Sequence, residues 1–208
     1  MKTHFLSLFV LMAASAAQAA DLDVTVSDTG GKPVPFAVVT WTPKNGAAIP
    51  AAVKSASYVM TQKNVQFTPF VLVVPVGATV SFPNQDRVNH HVYSFSPTQP
   101  FQLPLYGKGQ TRTVTFTKAG TDALGCNIHD SMSAYIRIVN TPYFATTGAD
   151  GKTVLKGVPE GAGSLRVWYP LMDAPDHEIA RSLTAGKTNA PQAFSVKVRA
   201  RMTQNGSY

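Results

Sequence analysis

Residues 77–95 read GATVSFPNQDRVNHHVYSF, and residues 125–139 read GCNIHDSMSAYIRIV. In the first stretch Thr79 to Phe82 alternates polar and apolar side chains, as a half-buried strand does. Asn84 to Asn89 is a polar loop, and strand character resumes over His90 to Phe95. In the second, Ala134 to Val139 again reads as a strand. The two stretches therefore place chemistry-bearing residues at strand ends: His90 and His91 in one, and Cys126, His129 and Met132 in the other.

Outward from these stretches, strand signals dominate. Leu22 to Val26 alternates and Asp28 to Pro33 is a turn; Phe36 to Trp41 follows as a strand. Asn64 to Thr68, Phe70 to Val74 and Thr111 to Thr117 are further strands, and a turn falls at Val76-Gly77. Residues 96–110 carry Pro97, Pro100, Pro104, Gly107 and Gly109 and are expected to form a long irregular loop. Beyond Pro142, Thr153 to Leu155, Leu165 to Trp168 and Ala193 to Arg201 complete a second strand set. The one helical candidate is short, Asp176 to Ser182. An all-β chain of two units is expected, with no helical crossovers.

Composition agrees. The chain has 208 residues, 44% hydrophobic and only 14% charged. Frequent Val and aromatic residues favour strands. The single cysteine excludes an internal disulfide. Lys2, the apolar run Phe5 to Ala14 and Ala17-Gln18-Ala19 have the pattern of a cleaved export leader, residues 1–20, cut after Ala19 or Ala20. A periplasmic location is expected. Without Lys2 the chain holds 17 basic and 11 acidic residues, a net charge of +6. The densest basic stretch, Lys197, Arg199 and Arg201, reads first as the wet face of a strand and second as a docking face for an acidic partner. Export argues against nucleic acid as partner.

Cys126, His129 and Met132 stand at i, i+3 and i+6. Thiolate, imidazole and thioether in one short loop are donors that suit copper. A fourth donor has to come from another strand, where His90 and His91 are the candidates. Adjacent strand residues point to opposite sides, so one of the two faces the metal. Each residue alone has a plainer role in packing, but one Cys, two His and a weak axial Met are the ligand set of blue-copper electron-transfer sites. A catalytic Cys–His pair is the rival chemistry, without an oxyanion-hole motif to support it. His177-Glu178 lacks the second His of a zinc-protease helix and reads as surface.

These stretches resemble the cupredoxins, small Greek-key copper proteins such as plastocyanin, azurin and amicyanin, over residues 55 to 140. In that family the first His ligand follows an Asn by about six residues, and counting from Asn84 reaches His90. The Cys-x-x-His-x-x-Met loop has amicyanin's short spacing. The resemblance implies one copper ion held by His90, Cys126, His129 and Met132. His91 stands where the family has Asn, and Leu124 where an aromatic residue is common. The chain also resembles exported cupredoxin-like proteins labelled as methylamine utilisation proteins. Residues 23–41 (DVTVSDTGGKPVPFAVVTW) and 147–170 (TGADGKTVLKGVPEGAGSLRVWYP) resemble the carboxypeptidase regulatory-like, or transthyretin-like, β-sandwich. The expected organisation is a copper unit, residues 51–140, inserted into a discontinuous sandwich of residues 21–50 and 141–208.

The function so implied is one-electron transfer between exported redox proteins, such as a cytochrome c or a dehydrogenase, with no enzymatic turnover by this chain alone. Ile128, Phe95, Phe101, Leu103 and Tyr106 are candidates for an apolar docking rim. The competing readings are a copper carrier or storage protein without redox cycling, and a structural module keeping a vestigial metal site.

Overall fold

The computed structural model describes residues 19–200; the expected leader, apart from its last two residues, lies outside them, as does Arg201. Alternating Val, Ile and aromatic residues form strands β1 (Ala19–Asp28), β2 (Val38–Pro43), β3 (Tyr58–Val59), β4 (Thr61–Gln62), β5 (Phe67–Thr68), β6 (Val71–Pro75) and β7 (Thr79–Pro83). They continue with β8 (His90–Ser94), β9 (Phe101–Tyr106), β10 (Thr111–Thr115), β11 (Gly120–Cys126) and β12 (Ser133–Val139). The last five are β13 (Tyr143–Thr146), β14 (Lys152–Pro159), β15 (Gly161–Trp168), β16 (Glu178–Ala185) and β17 (Gln192–Val196). Among the described residues one short α-helix, α1 (Ala51–Lys54), interrupts them. The chain is all-β, and no described helix is long and apolar enough to cross a membrane.

Two pairs of sheets enclose two cores. A five-stranded sheet in the order β6-β12-β11-β8-β9 accompanies a three-stranded sheet, β10-β7-β3. They share a core that includes Val80, Phe82, Val92, Phe116, Leu124, Ile136 and Ile138. The second pair is β14-β1-β17 and β13-β2-β15-β16, around Leu22, Val24, Val26, Trp41, Leu155, Leu165 and Phe194. Among the described residues, strands β1 and β2 thus pair with strands from β13 onward and with no earlier strand. A third cluster joins the two sets: Val71, Val73 and Val139 on one side meet Val38 and Trp168 on the other. Arg137 crosses the same seam, 2.6 Å from the carboxylate of Glu178 and over the ring of Trp168.

Several expectations are corrected. Residues 176–182 are not helical: a 3₁₀ turn, Pro175–His177, is followed by β16. Asp176 and His177 take positive φ, 52° and 56°, which a right-handed helix cannot accommodate. β16 instead pairs with β15 along its whole length. The expected loop 96–110 contains β9, an edge strand of its sheet. Pro104 is tolerated there because an edge strand leaves one row of amides unpaired. Residues 64–68 are not one strand. Asn64 and Val65, at φ 56° and 55°, turn the chain between β4 and β5. Phe36, at φ 62°, belongs to the turn before β2. Finally, β11 and β13 carried no signal that singled them out.

Candidate metal centre

β11 turns Asp122, Leu124 and Cys126 inward, and β8 turns His90, Val92 and Ser94 inward. The two strands are antiparallel neighbours, with Cys126 opposite Val92. Cys126 therefore lies on the same face as His90, two residues along the adjacent strand. The ladder is prolonged by the Asn127 amide, which donates to the His91 carbonyl at 3.0 Å. After Cys126 the chain makes two successive turns: the His129 amide donates to the Cys126 carbonyl at 3.4 Å, and the Met132 amide to the His129 carbonyl at 3.0 Å. These turns curl the loop back on itself and return the His129 ring to the cysteine.

The result is a convergence of three donors. His90 Nδ1 lies 3.7 Å from Cys126 Sγ, and His129 Nδ1 lies 3.5 Å from the same sulfur. The donor atoms of all three residues lie within 4.8 Å of one another. The two imidazole rings are 4.9 Å apart, centroid to centroid. His90, Cys126 and Met132 are buried, and His129 is half-buried, so solvent reaches the cluster past one imidazole. Met132 belongs to the same core as Cys126. A soft thiol beside two imidazole nitrogens, with a thioether in the same loop, is a donor set that fits copper.

His90 is fixed from its far side. Its Nε2 is 2.8 Å from Asp86 Oδ2, which leaves Nδ1 for the cluster; a carboxylate on the second nitrogen sets ring orientation and ligand basicity. The Asp86 carboxylate also accepts from the amides of Asn64 at 2.6 Å and Val65 at 3.0 Å. Burial alone would raise its pKa, but the hydrogen bonds from His90, Val65 and Asn64 outweigh it and hold the carboxyl below its ordinary value. A β-branched residue with positive φ is strained, and here the same carboxylate that orients His90 secures Val65. Asn84 braces this loop: its Oδ1 accepts from the Asp86 amide, and its Nδ2 donates to the carbonyls of Val88 and Tyr106. Tyr106, with its hydroxyl donating to the Phe82 carbonyl at 3.0 Å, is pushed up to about 12 by burial.

The expected residues sort as follows. His90, Cys126 and His129 come together; His91 lies on the other face of β8 with its Nε2 unpartnered among the described residues. Of the expected apolar rim, Phe95 and Ile128 are exposed, at 69% and 48%. Phe101 is half-buried, and Leu103 and Tyr106 are core. Leu124 is core as well. Glu178, expected at the surface, bridges Arg137 and Arg166 with its side chain only 15% exposed. Lys197 pairs with Asp173 at 2.8 Å, so its charge is compensated. Asp86 was missed; its one signal was an acidic residue four positions before a histidine. Tyr93 was also missed. Its ring covers Gly125, where a Cβ would come within 2.6 Å of Tyr93 Cζ, so the position beside Cys126 admits only glycine without movement of that ring.

No protein-family model and no curated protein matches the chain. Among solved structures it is similar to a copper-containing nitrite reductase from Thermus scotoductus SA-01, at 26% identity over 56% of this chain and TM-score 0.39; the chain spans 28% of that protein's length. It is similar to a purple cupredoxin from Nitrosopumilus maritimus, at 20% identity over 40% of this chain and all of that one, TM-score 0.37. It is also similar to the reduced Cu(I) form of an amicyanin variant, at 25% identity over 49% of this chain and 98% of that one, TM-score 0.38.

Proposed function

We propose that this chain is an exported, mononuclear type 1 copper protein of the cupredoxin kind that carries single electrons between redox proteins. The observation that carries the reading is the approach of His90 Nδ1 and His129 Nδ1 to Cys126 Sγ at 3.7 and 3.5 Å, from segments 36 residues apart in the chain. His90, Cys126 and His129 are the proposed equatorial ligands and Met132 the weak axial one. Copper in such a site would supply a one-electron couple.

The protein's own part is to hold these donors still. His90 is clamped between the cluster and Asp86, and Cys126 pairs with Val92 of β8 directly after Gly125, which is paired on both sides of β11. The buried thiol is kept from water and oxidants, while the half-buried His129 gives the cluster its contact with the surface. Rigid donors suit electron transfer because little rearrangement then accompanies a change of charge. We further propose that residues 1–20 direct export to the periplasm, that residues 51–140 form the copper unit, and that the discontinuous remainder is a transthyretin-like sandwich acting as its scaffold. A cytochrome c or a dehydrogenase is the expected kind of redox partner.

The test is titration of the full chain with cupric ion, followed by visible and EPR spectroscopy. One equivalent should produce an intense thiolate-to-copper band and the narrow hyperfine pattern of a blue site. Weak absorption with an ordinary cupric EPR spectrum would refute the type 1 assignment.

A further inference from the structure

Charge is distributed unevenly around the candidate metal centre. Residues 51–140 carry seven cations and three carboxylates. Two of the carboxylates are withdrawn from the surface: Asp86 is held by His90 and two amides, and Asp122 is fully buried. Asp130 is the one exposed acid of this segment. Lys63, Arg87 and Lys108 are all exposed, and none makes an ion pair among the described residues.

Backbone contacts place these three cations at one end of the sandwich. Lys63 precedes Asn64, whose amide binds the carboxylate that holds His90. Arg87 follows that carboxylate in sequence. Lys108 sits in the turn whose neighbour, the Gly109 amide, donates to the Asn84 carbonyl at 2.8 Å. Arg112 lies 5.3 Å over the ring of Tyr106, the residue paired with His90. Apolar side chains emerge among them: Val88 is 43% exposed, Leu105 54% and Ile128 48%. By contrast, the basic stretch near the C-terminal end is compensated at Lys197 by Asp173.

An apolar centre ringed by cations that make no ion pair among the described residues, with Asp130 beside His129 the one exposed acid near them, fits a surface of the same shape and opposite sign. We propose that the loop end carrying His90 and His129 is a docking face for a redox protein whose contact surface is ringed by carboxylates. This rests on the electron-carrier reading and adds the chemistry of the partner. The cations accelerate encounter, and the apolar contacts hold the complex once formed.

The test has two arms on the full chain. In the first, the ¹⁵N-labelled chain is titrated with hexacyanochromate(III), a redox-inert paramagnetic trianion, at low salt. Broadening should concentrate on the amides around Lys63, Arg87 and Lys108 and fade as salt is added. Broadening centred on Lys197 and Arg199, or spread evenly, would overturn the proposal. In the second, the copper-loaded, reduced chain gives one electron to hexacyanoferrate(III), which becomes hexacyanoferrate(II). The triple variant Lys63→Gln, Arg87→Gln, Lys108→Gln should keep the visible band and react about tenfold more slowly at low salt. The control Lys32→Gln, Lys152→Gln, Lys187→Gln removes the same charge elsewhere and should leave the rate within about twofold. Equal slowing in both would mean a field of the whole molecule and would overturn the proposal. Retention of the chain on phosphatidylglycerol vesicles, abolished in the first variant alone, would assign the face to membrane and also overturn it. A chain without a visible band refutes the copper reading separately, while the anion map, which needs no metal, still decides where the docking face lies.

Discussion

Two cores of similar make-up treat polar side chains differently. Among the described residues, the chain buries Gln62, Asn84, His90, Ser94 and Asp122 around Cys126, and Thr141 and Thr147 around Trp41. Both threonine hydroxyls donate to carbonyls of the same unit, Trp41 at 2.6 Å and Val34 at 2.7 Å, so they tie loops to strands. Two of the polar groups around Cys126 instead belong to a chain that ends on a candidate ligand: Asn84 fixes Asp86, and Asp86 fixes His90. Burying polar groups costs free energy unless each finds a partner, so a region that buries many is organised for something besides packing. On the proposed reading the first core is built around a site, and the second meets it across the Arg137–Glu178 seam.

If that contrast is right, damage should separate cleanly. The largest effect belongs to Cys126→Ser. The intense visible band of the copper-loaded protein should vanish entirely, while far-UV circular dichroism keeps its β signature. Next comes Trp41→Ala in the other core, which should cost about 3–5 kcal/mol in urea unfolding through the cavity it opens. The protein that remains folded should keep its band. A bleached but folded Trp41→Ala protein would break the division of labour.

Asp86→Asn should be felt at the site and less in the fold. Loss of the carboxylate behind His90 should weaken copper affinity about 10–100-fold, measured by competition with a chelator. It should also raise the midpoint potential, because a negative charge near the metal favours the oxidised state.

A smaller effect is expected from Asp122→Asn. The buried carboxyl accepts one amide, from Gln99 at 3.3 Å, and its Oδ2 has no partner among the described residues. Burial pushes its pKa up from 3.8 to about 6. The folded protein therefore holds this proton more tightly than the unfolded chain. The stability contributed is full below pH about 4 and is lost as pH rises through about 6. Asparagine removes the charge, so at pH 8 the variant should be more stable than the parent by about 1–3 kcal/mol, with a flatter profile between pH 4 and 8. An unchanged profile would mean the carboxyl is solvated.

What the sequence made legible follows the same physics. Strands that bury one face announced themselves by alternation: β1, β7, and β12 with its inward Ala134, Ile136 and Ile138. Two edge strands, β9 and β16, did not. β9 contains Pro104, and β16 leaves most of its residues partly or fully exposed, so neither carries the apolar periodicity that marks a strand. At the candidate metal centre, the thiol and imidazole types and their spacing identified candidates, and strand alternation left His90 and His91 equivalent until register placed Val92 opposite Cys126. Asp86 was hidden because its role depends on a turn through Val65 with positive φ, a conformation that a β-branched residue does not advertise.

The central claim is that Cys126 sulfur and the Nδ1 atoms of His90 and His129 grip one copper ion. X-ray absorption at the copper edge tests it most directly on the loaded full chain. The account predicts one sulfur and two imidazole nitrogens at bonding distance, about 2.0–2.3 Å, with the sulfur shell gone in Cys126→Ser. A first shell of nitrogen and oxygen alone, unchanged by that substitution, would contradict it.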